Sequence, residues 1–553
     1  MDPINWISLK ELKAPFNDAL NYRSRQDKEF FNRVFVRTEA LQKCLAPTTY
    51  FLMGEKGTGK TAYAVYLENN SVDGSRSQVI TMTETQYKRF IELKRQGKLS
   101  YSDYANIWRS MLLFLVARML VAKSKGFLHS ITGKFKQLEA EIERWGKNAL
   151  NPEIETAFEA IRTDSISGRL GSREVGELGA KSSDQQTESV QRITHHLLQT
   201  EGSLKEAISS LSLSANHILF IDGIDYRPES ISYRDYIDCV KGLGEAIWQL
   251  NTEYFSQIRD SKGRIKVVLL VRPDVFHALN LYNSNSRLQD NTVFLDWSTT
   301  EREFRQSALF DVSGKYFAIQ QKYSVEHASA WAHYCENDRQ DGEVFRRLLK
   351  FTFQKPRDLL TFIRIARDIS LAAGRGADSR FITDITRDAA FTRAFSDYLL
   401  GEVKNYAAFY MTQDDFSQYM KFFQYLDGKS RFSYNEFAQA HERFRSWAEG
   451  EHFDAKEYLR DPQAMLQLLY DVNLIGYAEH TESDSQREVF FHFSYRERTL
   501  VNIAPKVKAT GTLILNPGIA KALDIGRTVR ADSGGSGATV AVRKRRGRRG
   551  NRR

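Results

Sequence analysis

The stretch Gly54-Glu-Lys-Gly-Thr-Gly-Lys60-Thr61 constrains this chain more than any other, because it matches G-x-x-x-x-G-K-[ST] in full. The pattern carries weight only between a strand and a helix. Thr48 to Met53 (TTYFLM) is β-rich and enters the loop, and TAYAVYLEN continues from it at helical spacing. In that setting glycines let the backbone curl until successive N–H groups face an anion, and the helix adds its N-terminal dipole. Gly54, Glu55, Lys56, Gly57, Thr58, Gly59, Lys60, Thr61 and Ala62 are thereby predicted to cradle a nucleotide. Lys60 would reach the β- and γ-phosphates of ATP, and the Thr61 hydroxyl would ligate Mg²⁺. The bland alternative is a glycine turn with an exposed lysine.

A loop of this kind needs an acid at the end of a later buried strand. His217-Ile-Leu-Phe-Ile-Asp222-Gly-Ile-Asp225 supplies one, 162 residues after Lys60. Asp222 emerges at the carboxyl end of the apolar run, where doubly wound sheets keep their ligands, and is predicted to hold Mg²⁺ beside Thr61. Asp225 reads either as the group that orients or deprotonates an attacking water or as a helix N-cap. KVVLLV (266–271) ends in Arg272-Pro-Asp, so Arg272 is a candidate sensor of the γ-phosphate or a plain ion-pairing residue. Lys355-Pro356-Arg357 opens a helix, since proline is preferred in the first turn. Arg357 could touch the terminal phosphates or form a surface salt bridge.

At 553 residues the chain is long for one domain, and 42% hydrophobic with 27% charged residues is an ordinary globular balance. Three scattered cysteines exclude a disulfide scaffold and point to a reducing interior. The longest purely apolar run is Met111 to Ala117, and the first residues lack a secretory pattern, so a cytoplasmic protein with no membrane partner is expected. The net charge of +10 is misleading as a nucleic-acid signature. Residues 543–553 (RKRRGRRGNRR) hold eight of the cations, and residues 1–526 sum to only +1. The basicity sits in a Gly/Arg tail, 527–553, predicted to be disordered behind a Ser/Gly linker.

With Val34-Phe-Val-Arg37-Thr-Glu39 ahead of the loop, then the loop itself, hhhhDGxD, a strand ending in Arg-Pro and a Pro-Arg helix, the chain resembles AAA+-related P-loop ATPases of the STAND and origin-recognition branch, closest to a poorly characterised bacterial family. The resemblance covers roughly residues 30–525. It implies an α/β P-loop NTPase core with a parallel sheet (48–310), preceded by a helical segment (1–47), interrupted by a helical insertion (about 100–190), and followed by a helical lid (311–410). It further implies that Val36 and Arg37 help hold adenine. The implied activity is ATP-dependent switching, often with self-assembly, in signalling, defence against phage or DNA transactions. One departure stands out: the family usually places Glu directly after the strand aspartate, and here Gly223 takes that position. Either hydrolysis is slow, or the base is Asp225 or Glu229.

Residues 411–526 read as a winged-helix-like α+β domain, also similar to that branch. Its elements are helices over 432–438 and 462–473, strands at 474–477 and 489–495 joined by the polar stretch 479–488, and a closing helix over Leu513 to Leu523. The candidate recognition helix contains Asp461 and Asp471 but no Lys or Arg, which favours a protein partner or a homo-oligomer over duplex DNA. Nucleic-acid contact is then left to residues 543–553, losing strength steeply with salt. His195-His196 lacks metalloprotease spacing, and no G-x-S-x-G occurs.

Overall fold

The computed structural model describes residues 5–82, 91, 103–124, 135–147, 201–335, 342–483 and 486–525. Most of the predicted insertion, the pair His195-His196 and the Gly/Arg tail lie outside the described residues.

Five strands, β1 (Phe51–Met53), β2 (Arg76–Thr81), β3 (His217–Asp222), β4 (Ile265–Val271) and β5 (Thr292–Phe294), make one sheet in the order β2-β3-β4-β1-β5. Every neighbouring pair is parallel, with Phe51 opposite both Leu269 and Thr292, and His217 opposite both Arg76 and Ile265. All seven residues of β4 are buried, and so are the first five of β3. Both are dominated by apolar residues, 218–221 and 267–271, because both faces of the sheet are covered. One face packs on the helices Asp103–Ser124 and Tyr233–Gln249, through residues such as Trp108, Leu112, Val240 and Leu243. The other face joins a core that runs from Leu9 and Tyr22 through Tyr63 and Phe317 to Leu474 and Ile525. The N-terminal segment, the helices of 308–407 and the C-terminal region thus share one apolar interior.

Parallel strands bring all their carboxyl ends to one edge. Residues 54, 82, 223, 272 and 295 therefore collect there, and that edge is where an α/β sheet places a ligand.

Within the helix Asp103–Ser124, Tyr104–Lys123 is the one described stretch long and apolar enough to cross a membrane. It is 67% buried and lies against the helix Tyr233–Gln249.

Element boundaries differ from the sequence expectation in several places. β2 runs over six residues from Arg76, and β5 ends at Phe294, two residues before Asp296. In the C-terminal region β6 (Arg431–Phe432), β7 (Ile475–Ser483), β8 (Gln486–His492) and β9 (Thr512–Leu515) form a second sheet in the order β6-β9-β7-β8. Its pairings are antiparallel. The polar stretch 479–488, expected as a connector, is strand as far as the pair Ser483–Gln486, since ladder hydrogen bonds join backbones whatever the side chains. The helix expected at Leu513–Leu523 is corrected outright. A short aliphatic run is ambiguous by periodicity, and Leu513, Ile514 and Leu515 are buried as strand β9 between β6 and β7.

Candidate functional site

The glycine loop leaves β1 at Met53 and ends where the helix Lys60–Asn69 begins, capped by Gly59. Gly57 and Gly59 stand at φ +90° and +95°, a backbone region that other residues adopt only at a cost. The turns they allow fold the loop over the amine of Lys60, which donates to the Gly54 carbonyl at 2.9 Å and the Glu55 carbonyl at 3.3 Å. The same amine lies 3.5 Å from Asp225 Oδ2. Thr58 Oγ1 donates to the Glu55 carbonyl at 2.8 Å, and Trp297 Nε1 braces the loop by donating to the Thr58 carbonyl at 2.8 Å. The amides of the loop, an amine and a helix N-terminus are a donor set suited to phosphate.

Thr61 Oγ1 donates to Asp222 Oδ2 at 2.6 Å, so the two predicted metal ligands meet although 161 residues separate them. Burial pushes the Asp222 carboxyl up, against the hydrogen bond from Thr61. Its Oδ1 accepts the Gly223 N–H at 2.8 Å. A hydroxyl and one carboxylate fit Mg²⁺, which takes oxygen donors and completes its shell with phosphate and water. Among the described residues no group of three or more His, Cys, Asp or Glu gathers as a self-sufficient metal centre.

Gly223 explains the departure noted in the sequence. It stands at φ +93°, and a Cβ placed there would lie 2.5 Å from the Met82 carbonyl oxygen. A glutamate cannot follow Asp222 in this backbone. Asp225 is the acid brought to the loop instead, with its Oδ1 buried and without a hydrogen-bond partner among the described residues. It caps no helix, because the helix Tyr233–Gln249 is capped by Ser232. Glu229 is exposed.

Beside Gly59 and Ala62 lies an apolar pocket of about 90 Å³, lined by Tyr22, Phe35, Val36 and Tyr63 on one side and Val312, Tyr316, Pro356 and Leu360 on the other. Val36 therefore faces the loop. Arg37 does not line the pocket: its Nε donates to Tyr66 Oη at 2.7 Å and its side chain is exposed.

Both candidate arginines are ion-paired. Arg272, fully buried, pairs with Asp274 through Nε at 3.0 Å and Nη2 at 2.5 Å, and its guanidinium lies 3.7 Å from the centre of the Tyr406 ring. Of its two readings, the geometry has the ion pair. Arg357 sits on the loop, with its N–H 3.4 Å from the Gly57 carbonyl, but its guanidinium donates to Glu402 at 3.0 Å.

Sequence reasoning missed a set of buried charges behind the loop. Arg498, from the C-terminal region, donates to Glu55 and to Tyr406 Oη and reaches Asp471 at 3.4 Å. Lys355 lies 3.7 Å from the other Glu55 oxygen. Burial alone would push the Glu55 carboxyl up, yet Arg498 and Lys355 together hold it below the usual range. Asp471 is pushed up to about 6 by burial. No local pattern marks Arg498: its role exists only because the fold returns it to a loop 443 residues earlier.

No family profile matches this chain. It is similar to the putative transposon gamma-delta 80.3 kDa protein of Escherichia coli (strain K12), with 20% identity over 376 residues. The match covers 65% of this chain and 47% of that protein, so the chain spans about half the length of the curated relative it matches.

Proposed function

We propose that this chain is a P-loop ATPase: it binds ATP with Mg²⁺ in the loop Gly54–Thr61, hydrolyses it slowly, and uses nucleotide state as a switch on its assembly with copies of itself or a protein partner. The observation that carries this reading is the 2.6 Å contact between Thr61 and Asp222, which joins the loop after β1 to the end of β3 at the ligand edge of a parallel sheet. A glycine turn with an exposed lysine would require neither the acid there nor Lys60 buried beneath its own loop.

Each group has a role in this account. Loop amides and Lys60 bind the phosphates, and the apolar pocket with Val36 takes the base. Thr61 and Asp222 are the residues that would hold Mg²⁺, which when bound neutralises phosphate charge. Asp225 positions the attacking water. The water oxygen bonds to the γ-phosphorus as the bond to the β–γ bridging oxygen breaks. The proton passes to Asp225 and on to solvent, and ADP and inorganic phosphate leave. Slowness follows from Gly223, which excludes a glutamate, and from the partial commitment of Asp225 to Lys60. The helices of 308–407 serve as the lid, since Pro356 and Tyr316 close the base pocket. The C-terminal region would act as a winged-helix-like module that meets protein rather than DNA. Its helix Pro462–Asp471 buries Met465, Leu466, Leu468, Leu469 and Tyr470 and carries no cation.

Turnover of ATP by the wild type, by Lys60→Ala and by Asp222→Ala tests the reading. Both variants are expected to lose Mg²⁺-dependent phosphate release, and variants as active as the wild type would end the enzymatic proposal.

A second reading, an ATP-regulated protein acting on DNA, is favoured by the transposon to which that relative is assigned by name and by the tail RKRRGRRGNRR. Deleting residues 527–553 separates the two. Saturable DNA binding that survives the deletion would favour the second reading, and complete loss would confine contact to the tail.

A further inference from the structure

Six cations surround the loop: Lys56, Lys60, Arg272, Lys355, Arg357 and Arg498. Five are committed. Lys60 donates to loop carbonyls, Arg272 pairs with Asp274, Lys355 and Arg498 share Glu55, and Arg357 holds Glu402. Lys56 is different. It is half-buried in the loop itself, directly before the left-handed Gly57, and has no hydrogen bond or ion pair among the described residues. The charges that act on it are Glu402 and Asp225 on the acidic side and Arg272 and Arg357 on the basic side. Asp225 also pairs with Lys60 at 3.5 Å, so one carboxylate bears on both amines, and its buried Oδ1 has no hydrogen-bond partner among the described residues. An amine held out of water without a partner is costly unless an anion comes to it.

We infer that Lys56 is the catalytic cation of this site, supplied in cis: its amine meets the oxygens of the terminal phosphate and neutralises the charge that builds on them as the β–γ bridging bond breaks. The inference rests on the ATPase reading above. Phosphoryl transfer is accelerated chiefly by positioned positive charge, and enzymes of this chemistry that lack a cation of their own borrow one from a second protein. Here the loop carries its own. Lys56 gives up no proton in the step: the water's proton goes to Asp225, and the amine stays charged throughout. Arg272 has its donors held by Asp274 and the Tyr406 carbonyl, and Arg357 is drawn to Glu402 through Nη1.

Burial pushes the Lys56 amine down to about 8, which supplies a signature that a structural role lacks. The pH dependence of kcat/KM reports the free enzyme. The wild type is expected to lose kcat/KM on the alkaline side with a midpoint near 8. Lys56→Arg should retain activity and lose that limb, because arginine stays charged. Lys56→Met should lower the single-turnover rate on the order of 10²–10³-fold, the cost of removing one preorganised donor to a developing negative charge. Its affinity for ADP, which has no terminal phosphate, should stay that of the wild type. Lys56→Met turning over at the wild-type rate would overturn the inference, as would a rate loss matched by an equal loss of ADP affinity. A wild type with no Mg²⁺-dependent turnover would instead strike the ATPase reading, and this inference with it.

Discussion

At the scale of single residues, the site is shaped as much by what the backbone excludes as by what its side chains offer. Gly223 holds φ +93° with Met82 packed where a Cβ would go, so glycine, which looks like a defect directly after Asp222, is the one residue type the turn accepts. Gly223→Ala is expected to destabilise the fold by at least about 1–3 kcal/mol, the usual cost of a strained backbone conformation, before the clash with the Met82 carbonyl is added. Thermal unfolding of the purified variant measures this, and an unchanged midpoint would contradict the geometry. The loop glycines, Lys60 and Thr61 were legible from the spacing of the motif, and Asp222 from its place at the end of a buried apolar run. Arg272 was legible only as a question, since a buried ion pair with a residue two positions on leaves the same trace as a sensor.

Among the elements, β3 and β4 were readable as buried strands because ILFI and VVLLV are uninterrupted apolar runs. The C-terminal strands were harder. β6 has two residues and β9 four, too few to show a period, and their identity comes from the edge they fill. β4 also carries a buried amine: Lys266 donates to the Cys44 carbonyl at 2.7 Å and the Ala46 carbonyl at 2.6 Å, closing the end of the helix Glu39–Leu45. Burial pushes that amine down to about 7. Its folded value lies below the unfolded value of about 10.4, so between the two the unfolded chain binds more protons and stability rises with pH. The midpoint of thermal unfolding of Lys266→Met should therefore gain less than the wild type between pH 7 and pH 9, conditions bracketing the window that opens at about 7. Equal gains would show that Lys266 is not buried in this way.

For the whole molecule, the link between the ends of the chain is ionic as well as apolar. Glu55 in the loop is held by Lys355 from the helical region and Arg498 from the C-terminal region, all three buried. Breaking such a pair strands a charge, whereas replacing both partners need not. Arg498→Ala is expected to cost about 3–5 kcal/mol in denaturant unfolding, and Glu55→Gln combined with Arg498→Met much less than the sum of the single changes. Additive losses would mean that the pair is not coupled. None of this was legible in advance, because a contact between residues 55 and 498 depends on how the parts pack. The proposed switch has its own readout in solution size. A nonhydrolysable ATP analogue should change the elution of the wild type and leave Lys60→Ala unchanged, and identical profiles for the wild type with and without the analogue would remove the switch while leaving the ATPase. Beneath all of these lies binding itself, so calorimetric titration of ATP into the full chain, with Mg²⁺ and with the metal chelated, tests the account most directly. One saturable site per chain that needs the metal, is displaced by ADP and vanishes in Lys60→Ala is the predicted result. A wild type that takes up no ATP, or a Lys60→Ala variant that binds it equally well, would contradict the account at its root.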